Sequence, residues 1–431
     1  MNDTDFIKES KRFLSEEALR ILTKLTREDA ILSNKDKMIL YCEIELLRLD
    51  IKENKLKLTT NNEKECFKQF DDIITNTKDN KLKLSPAIRQ KHSYSWLFDF
   101  LDYYSKFCGI PIAFITAGIL APLPFLFIQA IEKLFVKKNS ENQKDLLSIK
   151  IRTWLSDFML GIACLSVDVQ GAENFDNLDQ AMVLFSHTSN ADAIYVCRSV
   201  PIQQYSFAKM ELFCVPIFGW LGYAVGGIPV DRSNKDRAIG ALNAIAKSSA
   251  GSTSICISPE GTRSSTGNLL EFKKGPFYIW ESLKYPIVPM VVYGGFDLYP
   301  NKKWVNTSGK VIVRYLKPIY PHEAEDRMSM ANLVRRRMLE ALKEPPAYAA
   351  RELTWGERRR SLMLLSNLIL FDLFLYRKIS IGLEYLPYTT YELSIYSLAF
   401  IIIVSVVINV YSIYIMPYLA TLSDEKQKKK Q

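Results

Sequence analysis

The stretch AMVLFSHTSNADAIYV, residues 181–196, decides the fold of this chain. Its first six residues form a short apolar run, typical of a buried strand, and a helix is expected to begin near Asn190. On one regular helix, residues five apart differ by about 140° in azimuth, so His187 and Asp192 would not share a face. They can converge if His187 ends the strand and Asp192 lies in the first helical turn. The stretch therefore predicts a strand–turn–helix unit that brings an imidazole to a carboxylate.

The same alternation of strand and helix continues over residues 165–320. A helical pattern, DRAIGALNAIAKSS, lies between short β-rich runs. The candidate strands are SVDVQG, AMVLFS, SICIS, PIVPMVVYG and KVIVRYLKP. Strands that alternate with helices predict an α/β fold, here a mixed sheet flanked by helices.

Apolar segments flank this domain and predict membrane-embedded helices before and after it. Residues 107–131 carry no charge over about 25 positions, long enough to span a bilayer, and three prolines favour a broken or re-entrant hairpin. Residues 361–376 are marginal as a span, whereas 394–416 are uncharged over about 23 positions and predict a transmembrane helix. The expected domains are a helical N-terminal region at 1–92, a membrane-embedded hairpin at 93–140, a catalytic domain at 141–345 and C-terminal anchoring helices with a basic tail at 346–431.

Charge and cysteine usage limit the possible partners. Lys and Arg number 56 against 47 Asp and Glu, a net charge of +9 that favours an anionic partner such as a membrane surface or a phosphorylated ligand. No basic helix with interleaved aromatics and no zinc-finger spacing is present, so nucleic acid is not expected. The seven cysteines are scattered singly, which predicts reduced thiols and no metal site. The polar first ten residues, MNDTDFIKES, do not have the pattern of a signal peptide.

The pair of His187 and Asp192 has two interpretations. A carboxylate bonded to one ring nitrogen fixes the tautomer of the imidazole and leaves the other nitrogen as a general base. Alternatively, the histidine is a surface residue and the aspartate only favours the dipole of the helix that it begins. The pair alone leaves both interpretations open. The other two histidines, His92 and His322, are expected to be structural.

Four ordered blocks resolve this choice through their resemblance to a known family. After the first block come GGIPVDRSN at 226–234, ISPEGTRSSTG at 257–267 and IVPMVVYGG at 287–295. In this order they resemble the glycerolipid acyltransferase superfamily, whose best-known members are the 1-acylglycerol-3-phosphate acyltransferases. The resemblance covers residues 95–325. The chain departs from the family pattern in each of the first three blocks. Ser186 replaces the usual Asn before the histidine, the family commonly has bulkier residues before Asp231 and Arg232, and Ser258 stands where an aromatic is usual.

The resemblance implies acyl transfer from acyl-CoA, as co-substrate, to the free hydroxyl of lysophosphatidic acid. His187 is then the general base and Asp192 orients it, with no cofactor and no metal. No G-x-S-x-G motif is present, so direct attack without an acyl-enzyme is expected. The residues expected to bind substrate are Arg232, Glu260, Gly261, Thr262, Arg263, Lys209 and Pro289. The two arginines of this set are expected to bind the acceptor phosphate. Lys209, and Lys273 outside the set, are weaker candidates for the same role.

The resemblance also implies a location, and other functions stay open beside it. The expected partners are acyl-CoA, a lysophospholipid and the bilayer, and the sequence names no protein partner. The expected location is the endoplasmic reticulum membrane, as an integral protein with a cytosolic catalytic face, and the final KKKQ resembles a dilysine retrieval signal. The acceptor could instead be another lysophospholipid such as lysophosphatidylethanolamine. A non-catalytic lipid-binding scaffold and a lipid hydrolase are the alternatives from other classes.

Overall fold

A mixed β-sheet lies at the centre of the described chain. The computed structural model describes residues 3–26, 32–75, 82–85, 121–135, 146–215, 218–230 and 253–346. In these residues the sheet has seven strands, in the order β1-β7-β6-β2-β5-β3-β4. The strands are β1 Leu165–Gln170, β2 Met182–Phe185, β3 Gln204–Lys209, β4 Gly227–Val230, β5 Ser254–Ile257, β6 Ile287–Tyr293 and β7 Gly309–Tyr315.

All neighbouring strands of this sheet run parallel except β6 and β7, which are antiparallel. The seven residues of β6 are all buried, as expected for a strand whose two faces are both covered. The five predicted runs correspond to β1, β2, β5, β6 and β7. Two strands were not among these runs: β3, whose sequence QYSFAK mixes polar and apolar residues, and β4, which has only four residues. The α/β mixed sheet flanked by helices is therefore found.

Helices cover both faces of the sheet. They are α1 Asp3–Ser10, α2 Glu16–Leu25, α3 Asn34–Lys52, α4 Asn61–Thr75, α5 Pro122–Phe135, α6 Leu147–Ile162, α7 Asp192–Ser199, α8 Met210–Phe213, α9 Phe218–Ala224, α10 Gly275–Leu283, α11 Gly295–Leu298 and α12 Arg327–Lys343. Successive residues of β2 enter different apolar clusters, with Met182 and Leu184 in one and Val183 in the other. This alternation follows from the two-residue period of a strand.

The N-terminal helices belong to the first of these clusters. Leu22 of α2 and Leu40 of α3 are completely buried in it, together with Met338 of α12 and Val291 of β6. Ser15 caps α2 and Ser33 caps α3, each by accepting a backbone N–H of the first turn. The described residues 3–26 and 32–75 therefore share one apolar core with the sheet.

The membrane part of the fold prediction is wrong for the residues that the structure describes. None of their helices is both long enough and apolar enough to cross a membrane. Of the predicted segment 107–131, only residues 121–131 are described. Those from Pro122 onward belong to α5, which has 14 residues. At about 1.5 Å per residue this helix is about 21 Å long, shorter than a bilayer core. The segments 361–376 and 394–416 lie outside the described residues.

Truncation of Met338 tests the packing of α12 between the sheet and α3. This side chain is 0% exposed, so Met338→Ala should lower the free energy of unfolding by about 2–5 kcal/mol through lost burial and a residual cavity. The matched control is Met328→Ala on the same helix, where the side chain is 37% exposed and the expected loss is within about 0.5 kcal/mol. Urea unfolding followed by tryptophan fluorescence measures both. Equal losses in the two variants would contradict this packing.

Candidate active site

His187 and Asp192 meet at the junction between β2 and α7. His187 lies two residues after the end of β2, and Asp192 is the first residue of α7. The distance from His187 Nδ1 to Asp192 Oδ2 is 2.8 Å. The imidazole is 23% exposed, whereas the carboxylate is completely buried. The strand–turn–helix unit thus brings the two side chains into direct contact.

Asp192 also holds the turn that carries the histidine. Its Oδ2 atom accepts hydrogen bonds from the backbone N–H groups of Thr188 and Ser189, each at 2.8 Å. An acceptor-only carboxylate fixes Nδ1 of His187 as the protonated ring nitrogen and leaves Nε2 with a free lone pair. A partly exposed imidazole with a basic Nε2 is suited to accept a proton from a bound hydroxyl group.

A second buried carboxylate, Glu260, holds the backbone of the histidine. Its Oε1 atom accepts the backbone N–H of His187 at 2.7 Å, and its Oε2 atom accepts that of Leu270 at 2.8 Å. The carbonyl of His187 accepts the N–H of Ser264 at 2.7 Å. Both polar backbone groups of His187 are therefore fixed by the segment that follows β5.

The environment of Glu260 disfavours its charged form. The side chain is completely buried, and this burial raises the pKa of the carboxyl from 4.5 to about 8. The hydrogen bonds from the backbone amides of His187 and Leu270 lower the pKa but do not outweigh burial. Both oxygens of Glu260 are occupied by these amides, and neither bonds to Arg263.

Arg263 lies beside the His187–Asp192 pair. Its guanidinium donates to Oδ1 of Asn190, and the amide group of Asn190 donates to two backbone carbonyls, at 3.0 and 3.1 Å. Burial lowers the pKa of Arg263, and the negative charge of Asp192 opposes this shift. The guanidinium has further N–H donors that can bind an anion in this position.

The other predicted substrate-binding residues lie on several different elements of the structure. Gly261 adopts a positive φ of 70°, which favours glycine, and Thr262 beside it is exposed. Lys209 ends β3 and forms an ion pair of 2.9 Å with Glu211. Pro289 is buried within β6, where it pairs with a residue of β2. Arg232 lies outside the described residues.

Three groups at the site were not predicted from the sequence. Asn190 binds Arg263, Ser264 binds the carbonyl of His187, and the amide of Leu270 binds Glu260. Asn190 and Ser264 lie inside the quoted blocks, so a signal for them was present. The partner of Leu270 depends on how two distant loops meet, and no local pattern contains that information. Within the described part of the chain, no group of three or more His, Cys, Asp or Glu residues could hold a metal ion.

Comparisons with known proteins match this part of the chain. The model of the family described as Acyltransferase matches residues 166–293. The 1-acyl-sn-glycerol-3-phosphate acyltransferase alpha of Bos taurus is 31% identical over 238 residues, which are 54% of this chain and 79% of the bovine protein. The 1-acyl-sn-glycerol-3-phosphate acyltransferase of Saccharomyces cerevisiae is 37% identical over 191 residues, 43% of this chain and 62% of the yeast protein. This chain belongs to the glycerolipid acyltransferase superfamily.

Membership in this superfamily confirms the resemblance drawn from the four sequence blocks, and it makes the chain an O-acyltransferase. An acyl donor and a lysophospholipid acceptor are the general substrate classes of such enzymes. Among solved structures, the 1-acyl-sn-glycerophosphate (LPA) acyltransferase PlsC from Thermotoga maritima aligns with a TM-score of 0.46 and 23% identity, covering 58% of this chain and 98% of that one.

The raised pKa of Glu260 predicts a pH-dependent component of the stability of this acyltransferase. Because the folded state holds the proton to about pH 8 and the unfolded state loses it near 4.5, this component is present below about pH 4.5 and is lost as the pH rises to about 8. Glu260→Gln has no titratable group at this position, so its free energy of unfolding should fall less steeply over this pH range than that of the wild type.

The same variant should also be less stable than the wild type at the acid end of this range, and the difference should shrink as the pH rises toward 8. One carboxylate oxygen becomes an N–H₂ donor that faces a backbone N–H, and a buried unsatisfied donor costs about 1–3 kcal/mol. Urea unfolding between pH 5 and 8 measures both effects, and Glu271→Gln, at an exposed position of the same segment, is the control for loss of a carboxylate. Identical pH slopes in the wild type and Glu260→Gln would contradict the burial argument.

Proposed function

We propose that this acyltransferase moves a fatty acyl group from acyl-CoA to the free glycerol hydroxyl of lysophosphatidic acid, giving phosphatidic acid and coenzyme A. The observation that carries the proposal is the 2.8 Å contact between His187 Nδ1 and Asp192 Oδ2 beneath a partly exposed imidazole. The names of the bovine and yeast relatives support the choice of acceptor.

In this mechanism, the oxygen of the acceptor hydroxyl attacks the thioester carbon while Nε2 of His187 takes the proton of that hydroxyl. The resulting tetrahedral intermediate collapses, the C–S bond breaks, and the imidazolium returns the proton to the departing thiolate. Asp192 stabilises the imidazolium in the intermediate because its carboxylate already accepts the Nδ1 hydrogen. A thioester is an activated acyl donor, so the acceptor can attack it directly.

The acceptor phosphate is proposed to bind Arg263, with Arg232 and Lys209 as further cations and Lys273 as a weaker one. Support comes from the bond between Arg263 and Asn190, because Asn190 lies in the same turn that links His187 to Asp192. A phosphate on Arg263 would therefore be anchored close to the base. Proposed roles for Gly261 and Thr262 are backbone and hydroxyl contacts with the acceptor.

Glu260 and Pro289 are proposed to act on substrate binding from beneath the site, since both are buried. The reaction as proposed needs no cofactor besides acyl-CoA as co-substrate. The bilayer as a partner, the endoplasmic reticulum as the location and a cytosolic catalytic face stay predictions from the sequence.

Removal of the proposed base should abolish most of the transfer. His187→Ala is expected to lower kcat by about 10²–10⁴-fold, the usual contribution of a general base. His322→Ala is the matched control, because this histidine is exposed and far from the motif in sequence. Transfer of radiolabelled oleoyl from oleoyl-CoA to lysophosphatidic acid measures both variants. A His187→Ala enzyme that retains the wild-type kcat would exclude the base assignment.

Competition among acceptors tests the proposed substrate. We expect the purified enzyme to acylate lysophosphatidic acid at a kcat/KM at least about tenfold above that for lysophosphatidylethanolamine, because a terminal phosphate can accept from a guanidinium without hindrance. Labelled products from an equimolar mixture of lysolipids are separated by thin-layer chromatography. A preference for lysophosphatidylethanolamine would contradict the acceptor, and release of free fatty acid without acceptor would indicate a hydrolase.

A further inference from the structure

The N-terminal region is hydrogen-bonded to the loop that follows the proposed substrate-binding segment. This loop is residues 264–270. The hydroxyl of Tyr41, on α3, donates to the carbonyl of Leu269 at 2.6 Å. The backbone N–H of Leu84 donates to the carbonyl of Thr266 at 2.8 Å. The side-chain amide of Asn268 donates back to the carbonyl of Leu82 at 3.2 Å, so the region and the loop are joined at three points.

A buried ion pair strengthens this junction. The guanidinium of Arg335, on α12, donates to the carbonyl of Leu270 and pairs with Glu45 on α3. The side chains of Arg335 and Glu45 are only 7% and 6% exposed. Arg48 adds a second contact to Glu45 at 2.6 Å. Separating Arg335 from Glu45 would leave a buried charge without its partner, which is costly, so this pair keeps α3 and α12 together. Through Arg335, both helices are connected to the carbonyl of Leu270 in the loop.

The loop also fits closely against the N-terminal region at Gly267. This residue has a positive φ of 85°, and a Cβ built there would lie 2.8 Å from Cδ1 of Leu84. The backbone conformation therefore favours glycine at this position, and a larger residue would also have to displace the side chains of Leu84 and Phe296, the latter at 2.9 Å. The close fit indicates that the N-terminal region and the loop are packed together as specifically as parts of one core.

The held loop is connected to the proposed base through Glu260. Leu270, whose carbonyl Arg335 holds, donates its N–H to one oxygen of Glu260 at 2.8 Å, and the other oxygen accepts the N–H of His187 at 2.7 Å. A displacement of the loop would therefore move the carboxylate that fixes the backbone of His187. Tyr41, Glu45, Leu82 and Leu84 all precede the segment matched by the family model, which begins at residue 166.

We propose that the described N-terminal residues, 3–26, 32–75 and 82–85, form an intramolecular brace that positions His187 through the backbone of Leu269 and Leu270 and the side chain of Glu260. In this view Tyr41 is a positioning residue, and its hydroxyl maintains the geometry of a base that it does not touch. The inference rests on the proposed function for the role of His187. General-base catalysis depends steeply on the position of the base, so a small shift lowers the rate of proton transfer.

The test removes one hydroxyl from the full-length enzyme. Tyr41→Phe deletes the bond to Leu269 and keeps the ring. The matched control is Tyr293→Phe, because this buried tyrosine donates to a backbone carbonyl outside the loop, that of Ala341, at 2.7 Å. For each variant, kcat and KM are measured for acyl transfer to lysophosphatidic acid. Hydrogen-exchange mass spectrometry follows peptides that contain His187 or Leu270, with β7 peptides as an internal reference.

For Tyr41→Phe we expect kcat to fall about 5- to 10-fold, with KM for the acceptor within about twofold of the wild type. Amide exchange at His187 and Leu270 should accelerate while exchange in β7 stays unchanged, which a general loss of stability would not produce. Tyr293→Phe should show neither effect. An unchanged kcat, unchanged exchange at His187, or equal effects in the control would overturn the brace. If the wild type transfers no acyl group, the proposed function fails, and the exchange measurement alone decides on the brace.

Discussion

The structure of the site depends on one buried carboxylate that must be hydrogen-bonded. Asp192 is completely buried, and a carboxylate that has lost contact with water needs hydrogen-bond donors. Within the described residues its Oδ1 atom has no hydrogen-bond partner, so Oδ2 makes these bonds. Three N–H donors meet its Oδ2 atom, two from the backbone of the turn and one from the ring of His187. The same group therefore shapes the turn between β2 and α7 and selects the tautomer of the imidazole. Fold and chemistry are coupled at this atom.

Glu260 repeats this arrangement one strand away. It follows β5, the parallel neighbour of β2, so the loops after both strands leave the sheet at the same edge. By accepting one backbone amide from each side, Glu260 links the turn of His187 to the loop that ends at Leu270. The N-terminal helices and α12 then hold that loop from outside. Two buried carboxyl groups, those of Asp192 and Glu260, thus link the shared apolar core to one partly exposed imidazole.

Local sequence patterns were sufficient to predict the strands that are formed by a continuous apolar run. The runs that became β2 and β6 are almost wholly apolar, and the spacing of His187 and Asp192 permits contact across a strand-to-helix junction but not on one face of a single helix. β3 was not predicted because its mixed polar and apolar residues, QYSFAK, do not form the continuous apolar run that marks the buried strands. The contacts of Glu260 with two amides and of Tyr41 with Leu269 depend on long-range packing, which no local pattern encodes. Of the run 107–131, only residues 121–131 are described, and from Pro122 onward they belong to a helix of 14 residues whose first turn suits a proline.

The hydrogen bond between Asp192 and Nδ1 of His187 is the central claim, and nitrogen NMR measures it directly. With only three histidines in the chain, ¹⁵N-histidine labelling gives few signals, and His187→Gln assigns the one of interest. At a pH where the ring is neutral, the account predicts that Nδ1 of His187 carries the hydrogen and that Nε2 has the chemical shift of an unprotonated nitrogen. A neutral ring protonated on Nε2 would contradict it, because the atom proposed to accept the substrate proton would already be occupied.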